Sequence, residues 1–222
     1  MEQKNYFKNF VYVIAALAGA GLLIYGAFFY SQKPNQSDPT AQVLPQTEDT
    51  QAQSETPTAI SFAEPYLGNA DAPVTVIEYG SYLCSHCVNF AINTFPKIND
   101  NYIKTGKVKY IFRSYPPFEL GQAVLCANDQ NKFWEYHDYA MHNTVTSPDD
   151  LKNFAQAIGL NAEEFNSCYD NKKYDKQAQE WYQAGQNDGI EGTPTFSVNG
   201  QKLVGEMPYE DFASAIDQAL EK

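Results

Sequence analysis

Basic side chains are scarce in this 222-residue chain: 15 Lys and Arg stand against 27 Asp and Glu, a net charge of −12. From residue 61 onward the balance is 12 against 22. Such acidity argues against a nucleic-acid ligand and against peripheral binding to anionic lipid. Metal-binding side chains are also few, with four cysteines and three histidines. Cys84 and Cys87 have a zinc-like C-x-x-C spacing, but zinc needs a second ligand pair. Cys126 and Cys168 lie about 40 residues apart, and His137 and His142 are five apart, roughly 140° around a helix. Neither pair forms a compact chelate, so no metal site is expected. No internal repeat is present, and no strand pattern appears between about Pro117 and Asn187.

What the chain does have is Cys84-Ser85-His86-Cys87 in an informative place. The motif follows the apolar run from Val74 to Tyr79 and opens a stretch, Val88 to Ile103, that reads as helix. A C-x-x-C at a strand-to-helix junction puts its first sulfur at a helix N-terminus. There, free N–H groups and the helix dipole favour the thiolate. A thiolate with a second cysteine one turn on can attack a disulfide and be resolved by its neighbour, which is thiol–disulfide exchange.

The front end places that chemistry. Phe10 to Tyr30 is an uncharged, mostly apolar run of 21 residues, about 31 Å as helix, enough for a bilayer core. Lys4 and Lys8 precede it, which leaves residues 1–9 in the cytoplasm and sends the rest across. A cleavable signal peptide is the competing reading. Its apolar region is about 7–15 residues long and ends at an A-x-A-like site. This run is longer and ends Gly26-Ala27-Phe28-Phe29-Tyr30, with no cysteine directly after it for lipidation. The expectation is an uncleaved transmembrane anchor at 10–30. Residues 31–58, rich in Gln, Pro, Ser, Thr and Asp, cannot bury a core and read as a disordered tether. Its reach is roughly 30 Å. All four cysteines then fall on the extracytoplasmic side, where disulfides persist.

Residues 59–222 suit one domain. Ile60-Ser61-Phe62 reads as an edge strand and Val74 to Tyr79 as a longer one. The helix after Cys84 carries Phe90, Ile92 and Phe95, with a kink at Pro96. Thr105-Gly106 ends it, and Lys107 to Arg113 alternates as a strand. Strand, helix and strand at this spacing make a right-handed βαβ unit with parallel strands. Helical segments follow, broken near Asn131, at Ser147-Pro148 and at Gly159. Thr195 to Val198, the turn Asn199-Gly200 and Gln201 to Val204 form a hairpin. Pro208 to Leu220 closes the chain as an amphipathic helix.

This order, with C-x-x-C at the first strand–helix junction and Thr193-Pro194 before the hairpin, resembles the thioredoxin fold. The helical block between the two halves resembles its DsbA branch. The anchor, the tether and the segment from Gly121 to Glu135 are similar to membrane-anchored DsbA-like proteins, including the BdbD type. The joint occurrence of C-S-H-C and G-T-P-T-F carries the resemblance over roughly residues 60–222. Ser85 stands where the best-known DsbA proteins have proline, a departure that bears on redox poise rather than class. The resemblance implies an α/β thioredoxin-like fold, with βαβ and ββα halves and an inserted helical block at about 117–188, preceded by one transmembrane helix. It implies an extracytoplasmic, monomeric dithiol oxidase that gives its disulfide to unfolded or newly exported cysteine-containing proteins. A DsbB or vitamin K epoxide reductase-like membrane partner would reoxidise it, with no cofactor in the chain. A reductase or isomerase of the same fold, and a non-enzymatic peptide-binding chaperone, are the alternatives.

Cys84 is then the expected nucleophile and Cys87 the resolving cysteine. The His86 imidazole between them is expected to stabilise the Cys84 thiolate. The resemblance implies a cis Pro194 lying against the disulfide, with Thr193 offering its backbone to an extended substrate. Glu78 matches the buried acid that assists proton transfer at the resolving cysteine, although a lone acid in a strand can also sit solvated at an edge. Tyr82 and Leu83, next to the nucleophile, are expected substrate contacts. Phe133, Trp134, Tyr136, Tyr139 and Met141 belong to the core or to an apolar groove. Cys126 and Cys168 are a structural disulfide, a second redox pair or free buried cysteines. The structural reading is favoured because each sulfur sits in a helix body, away from the electropositive N-terminus that activates a thiol.

Overall fold

The computed structural model describes residues 57–222. The expected anchor at 10–30 and nearly all of the tether lie outside the described residues. Among the described residues no helix is long and apolar enough to cross a membrane. The first strand, β1 (Tyr66–Gly68), is short, whereas β2 (Val74–Gly80) and β3 (Val108–Ser114) are seven residues each and run parallel. Their crossover consists of α1 (Ser85–Asn93), α2 (Phe95–Ile98) and a π-helical turn at Asn99–Ile103. The break at Thr94 falls where Pro96 enters the first turn of α2, because proline cannot continue the hydrogen-bond ladder of α1. Both long strands are buried almost end to end, as expected for a parallel pair covered on two faces.

The helical block comprises α3 (Phe118–Asn128), α4 (Phe133–His142), α5 (Pro148–Ala157), α6 (Ala162–Asp170) and α7 (Asp175–Asn187). Asn131 and Gly159 mark two of its breaks with φ of 58° and 74°. At the third, Asp150 accepts the Ser147 N–H at 2.8 Å and completes a capping box. A fourth break, at Lys172 with φ 52°, separates α6 from α7. The chain ends with β4 (Thr195–Val198), β5 (Gln201–Val204) and α8 (Tyr209–Leu220). The strand order is β1-β3-β2-β4-β5, every pairing but β2–β3 being antiparallel. This is a thioredoxin-like α/β fold with a helical insertion.

The edge strand lies later in the chain than the sequence suggests. Ile60 and Phe62 do not form a strand. They pack on the helical core, with the Phe62 ring 5.8 Å from Trp181, and the Glu180 carboxylate takes both the Ser61 N–H and its hydroxyl. A side chain thus satisfies the backbone group that a neighbouring strand would otherwise pair.

Period-two alternation sorts β2 onto two faces. Val74 and Val76 meet Phe90 of α1, Phe196 of β4, and Phe212 and Ile216 of α8. Ile77 and Tyr79 meet Ile111, Tyr115 and Ile190 on the other face. On that second face Arg113, the only arginine of the chain, is 4% exposed and grips Glu64 through two bonds of 2.8 Å. Its Nη1 also donates to the Tyr79 hydroxyl at 2.7 Å, and that hydroxyl donates to Asp188. Asp188 in turn accepts the Thr58 N–H at 2.8 Å, so the last residue read as tether is already fastened to the domain.

Cys126 of α3 and Cys168 of α6 are joined by a disulfide. Each lies in the last turn of its helix, where the dipole disfavours a thiolate. The bond closes a separation of 42 residues, worth about 4 kcal/mol in the chain-entropy treatment. Replacing both cysteines by alanine should therefore lower stability in urea melts by up to about that amount, with turnover at Cys84 and Cys87 retained. Turnover lost at unchanged stability would instead mark the pair as a redox relay.

Candidate active site

β2 ends at Gly80, and the turn Ser81-Tyr82-Leu83 delivers Cys84 to the N-cap of α1, with φ −92° and ψ 117°. The first-turn amides of α1 are free of intrahelical partners, and those of His86 and Cys87 bond the Cys84 sulfur. Across from it lies the loop before β4, where the Thr193–Pro194 bond is cis. The Thr193 carbonyl accepts from Cys84 Sγ at 3.3 Å, and the Gly205 N–H pins the Pro194 carbonyl at 2.8 Å. Cys84 and Cys87 carry free thiols, the first half-buried and the second fully buried.

The two thiols differ in acidity. Partial burial pushes Cys84 up, but the Thr193 side chain, the Cys87 amide and thiol, and the His86 amide together outweigh it and leave the group below its ordinary range. Burial drives Cys87 far up, and the nearby Glu78 charge adds to it. The Ser81 N–H, 3.4 Å from the sulfur, opposes both only weakly. An accessible, acidic thiol thus stands over a sealed, reluctant one.

His86 is exposed, and its ring turns to Glu206 in the loop after β5, with Nδ1 and Oε2 2.9 Å apart. Glu206 raises the imidazole pKa, and Cys84 contributes a smaller push in the same direction. The ring therefore reaches the thiolate through its charge, while the direct bond to the sulfur comes from the His86 backbone.

Glu78 sits in the central strand, 3% exposed, paired in register with Phe112 on one side and Phe196 on the other. It is not solvated at an edge. Tyr110, two residues before Phe112, donates to its Oε2, whereas Oε1 has no hydrogen-bond partner. Burial raises the carboxyl to about 7. The Tyr110 bond pulls it down, and the Cys84 charge pushes it up again. Gly80 leaves room for the carboxylate, since a Cβ there would fall 2.8 Å from Oε1.

Tyr82 corrects an expectation. It is 5% exposed, packed on Phe112, with its hydroxyl 3.1 Å from Nδ1 of His137, and it offers no face to a substrate. Apolar cover beneath the C-x-x-C turn draws the ring inward. Leu83 is 57% exposed, as is Val204 at 72% on β5, opposite Thr195 and so next to the cis-proline loop. Phe133, Tyr136 and Met141 are core, while Trp134 and Tyr139 are half-buried. Sequence reasoning passed over Tyr110, Glu206 and Val204. Tyr110 reaches the site through the β2–β3 register, Glu206 through its bond to His86, and Val204 through its pairing with Thr195.

The Glu78 carboxyl, raised from about 4.5 to about 7, stabilises the fold fully below the lower value and loses that contribution as pH rises through the higher one. Glu78→Gln should therefore stabilise the protein at pH 8 by up to about 3 kcal/mol. The gain should shrink to nothing as pH falls toward the ordinary carboxyl range. Denaturant melts across pH measure it, and a gain independent of pH would contradict this account.

Residues 61–218 match the thioredoxin family model. A stretch of 161 residues, 69% of this chain, is 28% identical to the Na(+)/H(+) antiporter NhaA 1 of Salinispora arenicola, of which it spans only 24%. Disulfide bond formation protein D of Bacillus subtilis is 26% identical over 171 residues, 71% of this chain and 77% of that one. The crystal structure of oxidised BdbD from the same organism superposes with a TM-score of 0.67 at 25% identity, covering 72% of this chain and 94% of that one. The chain belongs to the thioredoxin family, and its likeness within that family is to DsbA-like proteins of the BdbD type.

Proposed function

We propose that this chain is an extracytoplasmic thiol–disulfide oxidoreductase, working as a dithiol oxidase on cysteine-containing exported proteins. The observation that carries the reading is the unequal cysteine pair: Cys84 at the N-cap of α1 facing cis Thr193–Pro194, with Cys87 sealed beneath it beside Glu78. Stabilising the Cys84 thiolate stabilises the reduced enzyme and makes its disulfide a stronger oxidant, a trend for which DsbA itself is the known example. The likeness to a disulfide bond formation protein supports the same direction.

In this reading a substrate thiolate attacks Cys84 Sγ of the oxidised enzyme, and the Cys84–Cys87 bond breaks. Cys87 leaves with the electron pair and takes a proton from the Glu78 carboxyl. A second substrate thiolate then attacks the substrate sulfur of the mixed disulfide. Cys84 is released as a thiolate held by the first-turn amides and the His86 charge. Two electrons have passed from the substrate dithiol to the enzyme. A membrane partner of the DsbB or vitamin K epoxide reductase-like class, offering a disulfide, takes them back. The Thr193 backbone receives an extended substrate, with Leu83 and Val204 as its apolar contacts. In this reading the apolar run at 10–30 holds a monomer at the membrane, and the polar residues after it separate the domain from the anchor.

An oxidase of this kind is more stable reduced than oxidised. Denaturant melts of the two forms of the full chain should differ by several kcal/mol in favour of the reduced form, on the scale where about 30 mV corresponds to 1.4 kcal/mol. Ser85 should keep the gap below that of the strongest oxidants. Because the Cys84 pKa is depressed, the advantage should be full above the ordinary thiol value. It should fade as pH falls through the folded-state value. A reduced form that melts first would make this protein a reductase.

A further inference from the structure

Glu78 has two oxygens with different surroundings, and the difference has a cause in β3. Along the buried face only Tyr110 offers the carboxylate a hydrogen bond, to Oε2. Its register neighbours, Phe112 and Phe196, offer none. Oε1 is buried without a partner. A bare carboxylate oxygen in an apolar core costs several kcal/mol unless something else takes a proton to or from it. The ionisable groups acting on Glu78 are few. Tyr110 comes from β3, Cys84 and Cys87 from the start of α1, and Tyr82 from the turn between β2 and α1. His137 of α4 stands behind Tyr82 and supplies no counter-charge, because burial lowers its pKa to about 3. Of these groups, only Cys87 both changes protonation during disulfide exchange and lies buried with the carboxylate.

We propose that Tyr110 is a positioning residue, which holds the Glu78 carboxylate through Oε2 and keeps Oε1 free to exchange a proton with Cys87. The inference rests on the oxidoreductase reading above, and it adds the group that orients and tunes the acid. In resolution of a mixed disulfide, the Cys87 proton passes to Glu78. The Cys87 sulfur attacks Cys84 Sγ, the new S–S bond forms, and the departing thiolate carries off the electron pair. In the reverse reaction Glu78 returns the proton. Tyr110 never gives up its own proton, since burial first and then the Glu78 charge hold the phenol well above its usual range. It remains a donor throughout, and it favours the ionised acid.

The test follows one intramolecular step. The reduced full chain is mixed with oxidised glutathione and quenched with acid at intervals, and its mixed disulfide is quantified by mass. Formation of the adduct reports attack by Cys84, and its loss reports resolution by Cys87. In the wild-type protein the resolution rate should rise with pH to a plateau, with a midpoint near 7. Tyr110→Phe should move that midpoint up by about 1–2 pH units, slowing resolution about 10- to 100-fold on the acid limb while the plateau is kept. Glu78→Gln should abolish the limb, and adding Tyr110→Phe to it should change nothing more. Placing 3-fluorotyrosine at position 110, a stronger donor of nearly the same shape, should move the midpoint down. That second variant decides the matter if phenylalanine loosens the core. An unmoved midpoint in both variants, or effects of Tyr110→Phe and Glu78→Gln that simply add, would overturn the proposal. Glutathione reports the proton rather than the physiological direction of electron flow. The oxidase reading can therefore fail in the denaturant melts with the Tyr110 shift intact, and the shift can be missing from a working oxidase.

Discussion

The antiparallel pairing of β2 with β4 is the constraint on which the site depends. Cys84 and Thr193 are 109 residues apart, yet the Cys84 sulfur lies 3.3 Å from the Thr193 carbonyl. They meet because Tyr79, near the end of β2, pairs with Thr195, at the start of β4. The same register sets Glu78 beside Phe196 and puts its carboxylate on the face covered by α1. A slip of one residue would turn every β2 side chain to the opposite face. It would turn Glu78 away from the cysteines and set Tyr79 in its place. The hydrophobic alternation of β2 therefore specifies the chemistry as well as the core.

The two faces of the sheet deal with buried charge in opposite ways. On one, Arg113 has a bidentate carboxylate, a phenol and a backbone carbonyl within reach. An ion pair so fully satisfied offsets much of its desolvation cost and stays charged. On the other, Glu78 has one phenol and no cation, so the cost of ionisation is only partly met and the acid titrates near 7. The first arrangement is a fixed structural joint. The second leaves one carboxylate oxygen without a partner and the group within reach of titration at neutral pH. Fully satisfied and half-satisfied buried charges thus stand on opposite faces of one sheet.

Much of this was legible in the chain. Period-two runs located β2, β3 and the closing hairpin, Pro96 marked the break in the crossover, and Ser147-Pro148 marked the break before α5. The C-S-H-C motif fell at its junction because strand and helix patterns change there. Other features depended on competition between tertiary contacts. Ile60-Ser61-Phe62 has the look of a strand, but Trp181 and Glu180 claim its groups. Tyr82 has the look of a surface aromatic, but Phe112 and His137 enclose it. The break at Lys172 carries neither glycine nor proline. Tyr110 and Glu206 could not be placed at the site from the sequence, since one requires the β2–β3 register and the other the approach of a loop 120 residues away from His86.

The joint at Thr58 bears on mechanics. Its N–H is tied to Asp188 just past α7, and its carbonyl to Arg113 of β3, both on the face of the sheet turned away from Glu78 and α1. A pull transmitted along the chain from upstream would thus load a cross-braced corner of charged and aromatic groups, Glu64, Tyr79, Arg113, Trp181 and Asp188. That corner connects to the site through the sheet, where Tyr79 pairs with Thr195.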